Sequence, residues 1–405
     1  MKSKILILLI GATVAFPMAA QQHNFRELYS FQHAPDGTLP VDGVTWDSAG
    51  NLYGTTSAGG TSGNGTIFEL DTAGIETVLY SFTGAPDGAH PEGKIVRDEA
   101  GNIYGTTYDG GAVRGCSHGC GAVFKLDASG NETVLYSFTG GADGGNPNGG
   151  VIRDQAGNLY GTTYQGGISG SGCYGVACGI VFRLDTEGKL SVLHSFAGGP
   201  DGGNPYAGLV RDAVGNLYGT TEYGGDLPCS DGADCGTVFK LDTAGKETVL
   251  HTFTGPPDGA FPLAGVVLDA AGDLYGTTDN GGNSTCDCGV IFTLAMNGEE
   301  NVLYSFEGGK DGEFPVGAGV VLDGAGNLYG TTYFGGGAFS CASFGCGTVY
   351  MLDTSDREMV LHVFTNSPDG AHPSSGLVRN AAGNLFGTTQ LGGTSRAGTV
   401  FKVNP

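Results

Sequence analysis

Three features of the sequence predict an all-β fold, a seven-bladed β-propeller with four antiparallel strands in each blade. One phrase, seen as DQAGNLYGTTYQGG from Asp154, recurs along the chain. Four short strand patterns accompany each copy, and the two ends of the chain carry the two parts of one split unit. The copies begin, 51 to 58 residues apart, at Asp47, Asp98, Asp154, Asp212, Asp269, Asp323 and Asn380. Because repeats of this period indicate propellers or solenoids, the repeat sets the architecture.

The third copy shows the four strands of one unit. They are predicted at 150–153 (GVIR), 158–163 (NLYGTT), 180–184 (IVFRL) and 190–196 (LSVLHSF). Each pattern alternates or runs apolar and is bounded by Gly, Asp or Pro, as strands are. The turns at 154–157 and 185–188 contain the Asp and Gly that hairpin turns favour. No helical spacing occurs after residue 20, so we expect no helix in the folded domain.

The two ends of the chain predict how the ring closes. A lone fourth-strand pattern, ELYSF at 27–31, precedes the first copy, and a third-strand pattern, GTVFKV at 398–403, follows the last. Pairing these two segments completes the seventh blade and removes an exposed sheet edge. A parallel β-helix, the alternative architecture, needs no such split unit.

The first twenty residues are predicted to be a signal peptide, leaving 21–405 as a single propeller domain. Lys2 and Lys4 precede an apolar stretch at 5–18, and Ala19-Ala20 form a small-residue cleavage region. The alternative is a membrane anchor, but about 14 apolar residues are too few to span a bilayer comfortably. We therefore expect a monomeric, exported protein that is secreted, periplasmic or at the cell surface.

The charge excludes two classes of partner. The net charge is −23, and an acidic surface repels phosphate backbones and anionic lipids. Nucleic acid binding and direct membrane insertion are therefore not expected.

Three phrases carry a family resemblance: NLYGTT from Asn51, GTVFKLD from Gly236 and ETVLYSF from Glu132. They resemble the tandem GloVer (Gloeobacter/Verrucomicrobia) repeat of exported bacterial proteins, and more distantly the propeller repeats of NHL proteins and two-component regulators. The resemblance covers essentially the whole mature chain. It implies a secreted or cell-surface propeller and supplies no catalytic residue. A C-terminal sorting tail, common in such proteins, is not expected here because the sequence ends in FKVNP.

The cysteines fall on one face of the predicted ring. Loops between second and third strands, and links between blades, share what we call the top face. Ten cysteines occur as local pairs in five of these loops, which in an exported chain predicts disulfides. The predicted bonds are Cys116–Cys120, Cys173–Cys178, Cys229–Cys235, Cys286–Cys288 and Cys341–Cys346. Metal binding, suggested by CSHGC at 116–120, is disfavoured because the spacing varies from pair to pair. No metal or cofactor is predicted from these cysteines.

The blade links share the motif D-G-x-x-P. Its aspartates are Asp36, Asp87, Asp143, Asp201, Asp258, Asp311 and Asp369. Structural calcium is one interpretation, but calcium needs several oxygens from one tight loop. The favoured interpretation is an Asp turn in which the carboxylate caps nearby backbone amides.

Two positions between Thr-Thr and Gly-Gly differ from copy to copy. Because invariant residues hold the fold, varying residues at one place are free to contact a ligand. Aromatic, carboxylate and amide side chains suit sugar rings and hydroxyls. The predicted ligand-binding residues are Tyr108, Asp109, Tyr164, Gln165, Glu222, Tyr223, Asp279, Asn280, Tyr333 and Phe334, and the remaining two pairs are Ser57-Ala58 and Gln390-Leu391. Plain tolerance of surface change is the alternative explanation.

The sequence thus predicts an exported binding or scaffold module that recognises a glycan or peptide on its top face. One alternative is an extracellular hydrolase or lyase with carboxylates around the central channel. Another is a purely structural surface protein. An enzyme is the less favoured class because no nucleophile elbow, P-loop or metal-hydrolase motif occurs. His194, His251 and His362 share a strand position with Tyr80, Tyr136 and Tyr304, and so form no unique constellation.

Overall fold

A computed structural model describes residues 24–112, 115–168, 173, 177–227, 229, 234–317, 319–337, 341 and 344–405. The predicted signal peptide at 1–20 lies outside these residues. Within them, no helix is long and apolar enough to span a bilayer.

Seven four-stranded antiparallel sheets confirm the predicted propeller. From the innermost strand outwards, the strands are Thr45–Trp46, Leu52–Thr56, Thr66–Leu70 and Glu76–Ser81 in blade 1; Val96–Arg97, Ile103–Thr107, Ala122–Leu126 and Glu132–Ser137 in blade 2; Val151–Arg153, Leu159–Thr163, Ile180–Leu184 and Leu190–Ser195 in blade 3; Val210–Arg211, Leu217–Thr221, Thr237–Leu241 and Glu247–Thr252 in blade 4; Val267–Leu268, Leu274–Thr278, Val290–Leu294 and Glu300–Ser305 in blade 5; Val321–Leu322, Leu328–Thr332, Thr348–Leu352 and Glu358–Val363 in blade 6; and Val378–Arg379, Leu385–Thr389, Thr399–Asn404 and Asn24–Ser30 in blade 7.

Blade 7 closes the ring as predicted. Asn24–Ser30 pairs antiparallel with Thr399–Asn404, with Asn24 opposite Asn404 and Ser30 opposite Thr399. The N-terminal strand starts before the predicted 27–31 segment, because the pairing continues through Phe25 and Val403. A 3-10 turn, Gly199–Asp201, also occurs where no helix was expected. It lies within a blade link.

The repeated phrase is explained by hydrogen bonds at the turn between the first and second strands. In blade 3, Asp154 Oδ1 accepts the Asn158 N–H at 2.8 Å, and Oδ2 accepts the Asn158 amide at 2.8 Å and the Tyr160 hydroxyl at 3.1 Å. Burial pushes the Asp154 pKa upwards, but these hydrogen bonds outweigh it, and the pKa lies below its usual value. The motif D-x-x-G-N-L-Y is therefore a self-contained turn.

The glycine and threonines that follow have packing roles. A Cβ at Gly161 would lie 2.8 Å from Cζ of Phe182, so the phenylalanine of the third strand requires glycine beside it. Thr162 Oγ1 donates to the Ala207 carbonyl of the next link at 2.9 Å, while Thr163 Oγ1 donates to the Gln165 carbonyl at 2.8 Å. Thr162 thus holds the link to the neighbouring blade, and Thr163 holds the start of the loop between the second and third strands.

Buried aromatic pairs join every blade to the next. The last residue of each outer-strand pattern is a fully buried Phe, and it packs edge-on against the third-strand ring of the following blade at 5.1–5.3 Å between centroids. The pairs are Phe31–Phe68, Phe82–Phe124, Phe138–Phe182, Phe196–Phe239, Phe253–Phe292, Phe306–Tyr350 and Phe364–Phe401. Such pairs combine large buried area with favourable ring geometry. One such pair lies at every interface between neighbouring blades.

The link aspartates form the predicted Asp turns. Asp36 accepts the backbone N–H groups of Gln32 at 2.7 Å and Gly37 at 2.6 Å. Each link aspartate also accepts a hydrogen bond from the Tyr or His seven residues before it, and Tyr29 donates to Asp36 at 2.9 Å. Tyr and His are interchangeable at this position because either ring can donate to the carboxylate.

Candidate functional site

The top face opens into a cavity of about 760 Å³ at the mouth of the central channel. Links from all seven blades reach it. The residue directly after the link proline, called here the post-proline residue, lines the cavity in every blade. The seven are Val41, Glu92, Asn148, Tyr206, Leu263, Val316 and Ser374.

A shared backbone turn places these residues. The residue before each link proline has a left-handed conformation, with φ between 53° and 57° in all seven links. These residues are Leu39, His90, Asn146, Asn204, Phe261, Phe314 and His372. The carbonyl of each accepts the N–H of the first variable residue in its own blade, as His90 does from Tyr108 at 2.9 Å. Because the turn is the same in every link, seven side chains of six kinds lie at equivalent places around one opening.

The cavity wall combines three kinds of surface. Carboxylates and one cation come from Asp42, Glu92, Asp279 and Lys94. Rings and neutral polar groups come from Tyr206, Phe314, Tyr333, Phe334, Asn148, Ser374 and Gln390. Deeper in the channel the innermost strands contribute aliphatic side chains, among them Val96, Val151, Val210 and Val267. The opening therefore combines polar groups with apolar side chains such as Val41, Leu263 and Val316, and the innermost strands add further aliphatic surface.

The carboxyl groups of the cavity hold protons more tightly than carboxyls in water. Burial raises the pKa of Glu92 to about 7; the His90 charge opposes the shift and Asp109 adds to it. Burial, together with the charges of Glu222 and Asp287, raises the pKa of Asp279 to about 7. Burial also raises the Asp42 pKa, with Lys94 opposing. Near neutral pH the wall thus contains both protonated and ionised carboxyls.

The first variable residues form the cavity rim and the layer behind it. Asp279 and Tyr333 line the cavity, and the Tyr333 hydroxyl donates to Gln390 Oε1 at 2.9 Å. Tyr164 packs edge-on against the cavity residue Tyr206 at 6.1 Å, and its hydroxyl bonds to Glu222. Tyr108 lies beside Glu92, whose charge, after burial, raises the Tyr108 pKa.

The second variable residues mostly point away from the cavity. Their backbones pair with the entering link, as Gln165 does with Gly145. Asp109 contacts His90 Nδ1 at 2.9 Å, Asn280 donates to the Asp287 carbonyl at 3.2 Å, and Tyr223 packs on Phe261. Phe334 differs, since it lines the cavity and packs on Phe314 at 5.9 Å. The structure thus gathers part of the predicted set around the opening.

Sequence reasoning missed the post-proline residues, although a signal was present. Seven copies carry six different residue types at this position, while the proline before it does not change. The same criterion that selected the variable pairs would have selected them.

A family model for the Gloeobacter/Verrucomicrobia repeat matches residues 10–231, 174–344 and 229–405. The chain belongs to this family. None of the curated proteins compared with the chain matches it.

Solved structures of other proteins are similar to this Gloeobacter/Verrucomicrobia repeat protein. The extracellular domain of a putative one-component system from B. thetaiotaomicron has a TM-score of 0.55 at 10% identity, over 94% of this chain and 40% of that chain. A putative 6-phosphogluconolactonase from Bacteroides uniformis has a TM-score of 0.48 at 17% identity, over 80% and 84%. A gluconolactonase from Xanthomonas campestris has a TM-score of 0.44 at 14% identity, over 94% and 89%. At these identities the likeness concerns the fold alone.

Five disulfides brace the top-face loops of this repeat protein, with every predicted pair bonded. Cys120, Cys173, Cys178, Cys235 and Cys346 have no exposed surface. Each bond closes within one loop, so no disulfide joins two blades.

Proposed function

We propose that the chain is an exported binding protein whose channel mouth holds a sugar-sized unit of an extracellular glycan. The observation that carries this proposal is the convergence of seven unequal post-proline residues on one cavity. A repeat protein that needed only a stable ring would gain nothing from six different side chains at one equivalent position.

The chemistry of the wall supports a carbohydrate. Sugar rings have apolar faces that stack on aromatic side chains and hydroxyls that bond to amides and carboxylates. Tyr206 and Tyr333 offer rings, while Asn148 and Gln390 offer amides. A volume of about 760 Å³ lies within the range of about 300–1,000 Å³ that is usual for small-ligand sites.

Charge favours a neutral or cationic ligand. Among the lining residues that the structure describes, three are carboxylates and one is a lysine. An anionic sugar or phosphate would have to approach Glu92 and Asp279 against like charge. Export is supported by the predicted signal peptide and by the disulfides, which persist in oxidising compartments.

Glycan and peptide arrays on the purified protein with intact disulfides test the proposal. We expect retention of a neutral or amino-sugar glycan, weakened about tenfold or more by Tyr206→Ala or Tyr333→Ala, because each removes a stacking ring. Trp46→Ala is the matched control, since this partly exposed aromatic lies at the opposite end of an innermost strand. Retention of no glycan, or equal weakening by Trp46→Ala, would contradict the proposal. Retention of peptides alone would show a protein-binding module.

A second candidate, a glycan hydrolase or lyase, is favoured by one observation. Burial raises the pKa of Asp279 to about 7, and it also raises the pKa of the neighbouring Glu222, where the Tyr223 and Tyr164 hydroxyls oppose the shift. Neighbouring carboxyls whose pKa values are raised towards neutrality suit acid–base chemistry. Asp279→Asn distinguishes the two functions: an enzyme would lose turnover and keep binding, whereas a binding protein shows no turnover in either form.

A further inference from the structure

An imidazole and two carboxylates meet between blades 4 and 5, away from the channel mouth. They are His251 on the outer strand of blade 4, Asp258 in the following link, and Glu300 at the start of the outer strand of blade 5. One ligand atom from each residue lies within 4.8 Å of the others. His251 Nε2 and Asp258 Oδ2 are 3.2 Å apart.

The remaining hydrogen bonds around Asp258 are already made by the protein. Oδ1 accepts the Gly259 N–H at 2.7 Å, and Oδ2 accepts the Thr254 N–H at 3.0 Å. Glu300 differs, because its Oε1 is buried without a hydrogen-bond partner. A buried carboxylate oxygen without a partner is costly unless a cation or donor reaches it.

The other blade interfaces provide an internal comparison. Equivalent triplets are Tyr29, Asp36 and Glu76; Tyr80, Asp87 and Glu132; Tyr136, Asp143 and Leu190; His194, Asp201 and Glu247; Tyr304, Asp311 and Glu358; and His362, Asp369 and Phe25. The unpartnered Oε1 recurs at several of these, so it does not by itself select an interface. Among the described residues, the triplet of His251 is the one that brings three ligand atoms within 4.8 Å.

We propose that His251, Asp258 and Glu300 bind a divalent cation of the zinc type between blades 4 and 5. One imidazole and two carboxylates form a donor set that zinc accepts, with three protein ligands and one position left for water. Zn–N and Zn–O bonds of about 2.0–2.2 Å set neighbouring tetrahedral ligands about 3.4 Å apart. The 3.2 Å between His251 and Asp258 already matches this spacing.

Binding replaces one hydrogen bond with three metal–ligand bonds. To bind the cation, Nε2 of His251 must give up the proton that it shares with Asp258; in the neutral imidazole this proton passes through solvent to Nδ1, and Glu300 moves its carboxylate to complete the set. Because the ligands come from adjacent blades, the cation joins the two sheets and stabilises their interface. Side chains of His251 and Asp258 are 18% and 14% exposed, which leaves a path for the ion.

Zinc titration of the chelator-stripped protein tests this site, with a chromophoric chelator as competitor. We expect one saturable Zn²⁺ site and a rise in melting temperature on binding. His251→Gln and Glu300→Gln should each weaken binding by about 100-fold or more, since one of three protein ligands is lost. The melting temperature of each apo variant shows that it is folded.

Matched controls use the neighbouring triplets. His194→Gln removes the imidazole of the triplet with the same composition, His194, Asp201 and Glu247, whose ligand atoms do not all lie within 4.8 Å of one another. Glu358→Gln changes a triplet that has Tyr304 in place of histidine. Neither change should alter the affinity. The proposal is overturned if no saturable site is found, if His251→Gln binds as tightly as the parent, or if His194→Gln weakens binding equally. Preference for Ca²⁺ over Zn²⁺ would also overturn it.

Discussion

The blade bodies and the channel mouth differ in how much the residues at equivalent positions of the repeat vary. In the bodies, equivalent positions carry the same residue or a close substitute, as in the seven edge-on aromatic pairs. At the mouth, equivalent positions carry Val, Glu, Asn, Tyr, Leu, Val and Ser on the same backbone turn. Packing determines which residues occur in the blade bodies. The residues at the channel mouth are free of this requirement, so their variation is available for ligand recognition.

The largest expected effect comes from removing one body aromatic. Phe182→Ala deletes a fully buried ring that packs on Phe138, and should lower the free energy of unfolding by about 3–5 kcal/mol. Denaturant unfolding measures the change. Tyr206→Ala at the mouth is the comparison, because this ring is 39% exposed and its loss should cost about 0.5 kcal/mol or less. Equal losses of unfolding free energy in the two variants would contradict the distinction between the blade bodies and the channel mouth.

An intermediate, pH-dependent effect is expected from glutamates between blades. Burial, and then the charge of the nearby link aspartate, raises the pKa of Glu76, Glu132 and Glu358 to about 7 each. The folded pKa lies above the unfolded value of about 4.3. The contribution of these glutamates to the free energy of unfolding is therefore fully present below pH about 4.3 and is lost as pH rises through about 7.

Replacing these three glutamates by Gln should therefore raise the melting temperature at pH 8 and leave it nearly unchanged at pH 5. After allowance for solvent screening, the gain at pH 8 is about 1 kcal/mol per site. Leu190 occupies the equivalent place between blades 2 and 3. Leu190→Glu is the reverse control and should lower the melting temperature more at pH 8 than at pH 5. A gain independent of pH would show that charge is not the cause.

The smallest expected effect concerns the one aromatic pair of the blade bodies that contains a tyrosine. Tyr350 replaces phenylalanine in one aromatic pair, and its hydroxyl is buried without a hydrogen-bond partner. Tyr350→Phe should stabilise the protein by about 1 kcal/mol because it removes an unsatisfied polar group. Thermal unfolding measures the change, with Phe182→Tyr as the opposite substitution. A lower melting temperature for Tyr350→Phe would mean that the hydroxyl is satisfied.

The fold could be predicted because each repeat encodes its own turns and strands. The segment from Asp154 to Tyr160 folds through hydrogen bonds between residues that are close in sequence, so this turn could be recognised from the sequence alone. Closure was predictable for the same reason, since Ser30 and Thr399 belong to two recognisable halves of one unit.

The site could be predicted only in part, because sequence does not show which side of an extended segment faces the channel. Successive residues of such a segment point to opposite sides. Asp279 therefore lines the cavity while Asn280 turns to Asp287. Tyr206 was missed because its position depends on the left-handed turn at Asn204, which brings a distant link to the channel.

The pairing of Asn24–Ser30 with Thr399–Asn404 in blade 7 also means that the ring does not depend on where its backbone is opened. Asn24 and Asn404 lie opposite each other in adjacent strands, at the same bottom edge where tight hairpins join outer strands in the other blades. A short loop between them would give blade 7 the connectivity of its six neighbours. The backbone could then be opened at an equivalent turn, such as 185–188, to give a circular permutant with the same wheel and an undisturbed top face.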